Sequence, residues 1–94
     1  MDIIINDSAI QWLKEEFGLE QGDAVRIMTR YGDSTAHPGF ALTLSVERPH
    51  DVAFAAKQDG IELFVKEQDA WYFDDHDLYV SYDKNNDHLS LDVK

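Results

Sequence analysis

The sequence predicts a small α+β domain, mostly β: one N-terminal helix, then a strand-rich body that closes with a β-hairpin. Two observations carry this. Apolar residues recur at helical spacing once, between residues 9 and 17, and from residue 24 onward they alternate in twos. Turn-forming residues fall between the alternating runs rather than inside them. Ninety-four residues suffice for one domain with one core. There is no internal repeat, linker or low-complexity segment, and no cysteine to supply a disulfide.

Ala9, Ile10, Leu13 and Phe17 form the helical stripe, with Lys14, Glu15 and Glu16 facing water. Trp12 lies beside the stripe and extends it. Ser8 and Gln11 have the spacing of a capping box, Asp7 adds negative charge at the helix start, and Gly18 supplies the left-handed end. After the turn Glu20-Gln21-Gly22-Asp23, two strands are expected, Ala24 to Tyr31 and Phe40 to Glu47. In the first, Val25, Ile27, Thr29 and Tyr31 share one face, while Arg26, Met28 and Arg30 share the other. In the second, Phe40, Leu42, Leu44 and Val46 alternate with smaller residues. Pro49 breaks the pattern, Phe54 opens the next extended piece, and Asp59-Gly60 turns the chain into Ile61–Val65.

The last hairpin pairs Leu78, Val80 and Tyr82 with Leu89, Leu91 and Val93 across Asp83-Lys84-Asn85-Asn86-Asp87. Asp83, Asn85 and Asp87 also match positions 1, 3 and 5 of a calcium loop. That reading fails at His88, where a glycine must turn, and at Lys94, where a bidentate glutamate is required.

Glu47-Arg48-Pro49, Phe54, Asp59-Gly60-Ile61-Glu62-Leu63-Phe64-Val65, Ala70-Trp71-Tyr72-Phe73-Asp74 and Asp77-Leu78-Tyr79-Val80 follow an order that resembles the HesB/IscA-like domain, the A-type scaffold or carrier of iron–sulfur cluster biosynthesis. The resemblance implies a HesB-like fold, an N-terminal helix packed on small curled mixed sheets, and a short helical turn over Glu67 to Phe73. The family's chemistry resides in three cysteines, one in a Gly-rich loop and two in a Cys-Gly-Cys tail. This chain has none, and it reaches Lys94 without that tail. Neither Asp33 nor Ser34, one of which falls at the loop cysteine, supplies a thiolate. The resemblance therefore implies the scaffold without the cluster, and no cofactor is expected.

The candidate binding site is the loop between the first two strands. Arg26 and Arg30 share a strand face leading into it, and Gly32, Asp33, Ser34, His37 and Gly39 lie within it. The two arginines form a positive spot for an acidic partner segment or an anion, and His37 adds charge at mildly acidic pH. The plain alternative is a turning loop, with arginines that pair with nearby carboxylates.

A hard-ligand site for iron or another divalent metal is a second reading, centred on Asp74-Asp75-His76-Asp77 with Asp83, Asp87 and His88. His37, His50, His76 and His88 are scattered, however, without metal-ligand spacing. A small-molecule enzyme is a third, but no serine sits in a Gly-x-Ser-x-Gly elbow and no thiol nucleophile exists. The expectation is a protein without catalytic activity.

Nineteen acidic against eight basic residues give a net charge of −11, which repels nucleic acid and anionic membranes. The N-terminal residues lack the basic and apolar regions of a signal peptide, and no apolar run reaches membrane-spanning length. The expected protein is cytoplasmic. Its expected role is protein binding or regulation, with a partner in iron–sulfur assembly implied by the resemblance.

Overall fold

Helix α1 (Asp7–Phe17) begins at Asn6, whose extended backbone (φ −88°, ψ 165°) lets its side-chain oxygen accept the Ala9 N–H at 2.8 Å. The expected capping box at Ser8 and Gln11 does not form. Ser8 is already inside the first turn, and the Gln11 amide donates to Asp59 at 3.1 Å. Gly18 ends the helix as expected, left-handed at φ 62°, with its N–H on the Lys14 carbonyl. The computed structural model describes residues 2–32 and 39–94.

Seven strands accompany the helix among the described residues: β1 (Ile3–Ile5), β2 (Ala24–Tyr31), β3 (Phe40–Val46), β4 (Val52–Gln58), β5 (Ile61–Lys66), β6 (Leu78–Asp83) and β7 (His88–Val93). A 3₁₀ helix, Glu67–Tyr72, follows β5 where a helical turn was expected. The strands form two mixed sheets, ordered β1-β6-β7 and β3-β2-β5-β4. Pairings β2–β3, β4–β5 and β6–β7 are antiparallel, and β1–β6 and β2–β5 are parallel.

Three details differ from the sequence reading. β1 was not anticipated, because three isoleucines are too few to display a period, yet Ile3 and Ile5 are buried on one side and Ile4 is exposed on the other. β4 begins at Val52, ahead of Phe54, with the register shifting between them at an irregularity of the ladder. Phe17 leaves the buried stripe at the last helical turn and sets its ring edge-on to Trp12, centroids 6.3 Å apart.

One core joins both sheets. Ala9, Ile10 and Leu13 of α1 pack with Val25, Ile27, Ile61, Leu63, Val65, Tyr72, Phe73, Leu78 and Val80. β5 is covered on both faces, which is why Ile61, Leu63, Phe64 and Val65 read as a nearly unbroken apolar run. The fold is mostly β, with the helix and two mixed sheets sharing that core.

Candidate functional site

The predicted site residues start on β2, and the pairing of that strand decides what each can do. β2 pairs with β3 along its length but with β5 only from Ala24 to Arg26. Beyond Arg26 the 3₁₀ helix takes the place of β5, and Asp69 sits where the ladder ends. Its carboxylate accepts the Thr29 amide at 3.5 Å and the Thr29 hydroxyl at 2.8 Å, covering a donor that has lost its strand partner.

Arg26 is drawn into the same junction. It lies between Ser45 of β3 and Phe64 of β5, is only 6% exposed, and donates to Asp69 at 2.9 Å and to Glu47 at 3.4 Å. Lys66 reaches Glu47 from the other side at 3.5 Å. A hydrogen bond from Ser45, followed by the charges of Arg26 and Lys66, holds the Glu47 carboxyl below its ordinary pKa against the opposing effect of burial. Two carboxylates thus face the Arg26 guanidinium, one of them, Asp69, itself 4% exposed. The chemistry of Arg26 is that of a buried structural cation joining β2 to the 3₁₀ helix.

Arg30 is placed differently. It is exposed, and its guanidinium donates to the Tyr31 carbonyl at 3.3 Å. The two arginines expected to act together are therefore separated by environment, one enclosed and one in water. Gly32 donates its N–H to the Gly39 carbonyl at 3.0 Å, closing the base of the hairpin, and Gly39 has φ 89°, a conformation suited to glycine. Asp33, Ser34 and His37 lie outside the described residues.

Sequence reading missed what stands at that hairpin base. The apolar face of β2 and β3 continues past the end of the core. Tyr31, 86% exposed, stacks on its cross-strand partner Phe40 with centroids 5.6 Å apart, and Phe40 meets Trp71 edge-on at 5.1 Å. Trp71 is 48% exposed. Alternation marks Tyr31 and Phe40 as core-facing; Phe40 is half-buried against the core, while Tyr31, at the open end of its strand, lies in water instead. The outcome is a small aromatic surface on the face of β2 opposite Arg30.

The carboxylates and histidines of the metal reading do not converge. Asp74 and Asp75 occupy a turn with φ 46° and 64°, the His76 ring is 3.1 Å from the Phe73 carbonyl, and His50 pairs with neighbouring Asp51 at 3.0 Å. Asp83 accepts the Asn85 amide and the Asn86 side chain, which builds the turn between β6 and β7. Among the described residues no group of three or more such side chains could hold a metal ion. Nor is any described helix long and apolar enough to cross a membrane.

No family model matches the chain. Among solved structures, Escherichia coli SufA, described as involved in biosynthesis of iron–sulfur clusters, superposes with a TM-score of 0.61 at 18% identity, covering 99% of this chain and 79% of SufA. That likeness establishes the HesB-like fold. Among curated proteins, an uncharacterised protein of Staphylococcus saprophyticus is 34% identical over the full length of both chains, and one of Staphylococcus aureus USA300 is 32% identical over the same span. The pyruvate dehydrogenase inhibitor of Bacillus subtilis is 46% identical over 88 residues, 93% of each chain. Identity at that level over that span places this cysteine-free, HesB-like protein in the same family as the Bacillus inhibitor and its staphylococcal relatives.

Proposed function

We propose that this protein is a non-catalytic regulator that docks on pyruvate dehydrogenase and lowers its activity. The observation that carries the reading is the 46% identity with the Bacillus subtilis inhibitor across 93% of both chains. Two features support it. The sequence offers no thiolate for a cluster, so the HesB-like fold serves here without the chemistry of an iron–sulfur scaffold. Tyr31 and Trp71 are of the residue types that dominate binding energy at protein interfaces, and both contact Phe40 at one end of the β2–β3 pair. A partner in iron–sulfur assembly has only the fold behind it.

The test is titration of the purified protein into the cognate pyruvate dehydrogenase, following turnover and binding together. Saturable binding with falling turnover is expected. Tyr31→Ala combined with Trp71→Ala should weaken binding about tenfold or more, as loss of interface anchors does, with the melting temperature little changed. Absence of binding by the wild-type protein overturns the proposal.

A further inference from the structure

Helix α1 and the β6–β7 hairpin enclose a groove of about 540 Å³ at the side of the molecule. Trp12 and Tyr82 line it as an aromatic pair, stacked with centroids 5.8 Å apart and planes inclined by 26°. Sequence periodicity assigns Trp12 to the edge of the core, yet both rings are only half-buried. Asp7 and Glu15, both exposed, border the groove from the helix. Asp7 is fixed in place by the Gln58 side chain at 3.0 Å.

The field in the groove is negative. The Tyr82 hydroxyl donates to Asp87, and its pKa is raised first by that bond, then by burial and by the charges of Asp87, Glu15 and Asp83. The helix N-terminus offers little to an anion, because Asn6 already caps it and Asp7 adds a negative charge there. Among the described residues one cation lines the groove, Lys84, on the exposed hairpin turn.

Aromatic faces bordered by carboxylates suit a planar cation, which gains cation–π attraction from the rings and charge-assisted hydrogen bonds from the acids. We propose that this groove receives an arginine side chain from a basic segment of the protein partner, lying against the Trp12–Tyr82 pair with its charge toward Asp7 and Glu15. The net charge of −11 steers such a segment toward the molecule. The inference rests on the reading of a protein-docking regulator and adds the chemistry of the partner.

The experiment uses the full chain with Trp71→Phe, so that Trp12 is the sole fluorophore of its type. Titration with a hexa-arginine peptide should give a saturable change in Trp12 emission, and hexa-glutamate none. Asp7→Asn with Glu15→Gln should weaken the hexa-arginine response about tenfold or more. A control that removes two charges elsewhere, Asp74→Asn with Asp75→Asn, should leave it within about twofold. Absence of saturation, or equal weakening by both pairs, overturns the groove and reduces the effect to the general charge of the protein. In parallel, wild type and the Asp7→Asn, Glu15→Gln variant are titrated into pyruvate dehydrogenase. Binding by the wild type that the variant fully retains overturns the groove and leaves the docking reading intact. No binding by the wild type overturns the docking reading, and the peptide titration then decides the groove separately.

Discussion

Asp69 serves three donors with one carboxylate: the Arg26 guanidinium, the Thr29 hydroxyl and the Thr29 amide. Its removal leaves a buried guanidinium, whose Nε already lacks a partner among the described residues, with only the longer 3.4 Å contact to Glu47. Asp69→Ala should therefore cost roughly 3–5 kcal/mol in urea unfolding, the range for breaking a buried ion pair on one side. Adding Arg26→Met to that variant should restore part of the loss, because the buried and under-paired charge goes with it. A double variant no more stable than Asp69→Ala alone would show that Arg26 has enough access to water to need no partner. The sequence places Arg26 on the right strand face, but its partners are 21 and 43 residues away. Nineteen carboxylates compete for the role, and alternation says nothing about which one the fold delivers.

At the scale of elements, the helix start separates sequence logic from structure most sharply. Asn6 and Ser8 are both good capping residues, and spacing to Gln11 favours Ser8. The structure chooses Asn6 because β1 ends at Ile5 and pairs with β6, which leaves the next residue extended and ready to cap. Asn6→Ala should cost about 1 kcal/mol in thermal or urea unfolding, and Ser8→Ala a few tenths at most. Reversal of that order would return the cap to Ser8. Strands with their own alternation, β2, β3, β6 and β7, were legible with nearly correct ends. Parallel neighbours were not, since alternation in β2 records a buried face and not that β5 lies beside it. The Trp12–Tyr82 groove was hidden for a related reason: each ring belongs to a sensible local pattern, and only the docking of helix on hairpin brings them together.

At the scale of the whole molecule, the HesB-like fold persists in a chain without cysteine. Anaerobic incubation with iron and sulfide, followed by absorbance and sulfide analysis, should leave no stoichiometric cluster on the protein. A tightly held cluster would require ligands other than thiolate and would reopen the scaffold role. The sheet order also governs how the molecule is made. Asp77 accepts the amide of Asp2, 75 residues before it, and exchanges two backbone hydrogen bonds with Lys94. β1 accordingly has no strand to pair with until β6 has been synthesised. At typical translation rates that delay is roughly 4–15 s. For that interval β2 and β3 can already pair as a local hairpin, while Ile10 and Leu13 of the helix lack Leu78 and Val80. The nascent chain therefore passes through a stage with one sheet begun and an apolar helix face uncovered, the kind of surface a ribosome-associated chaperone holds until the last hairpin emerges.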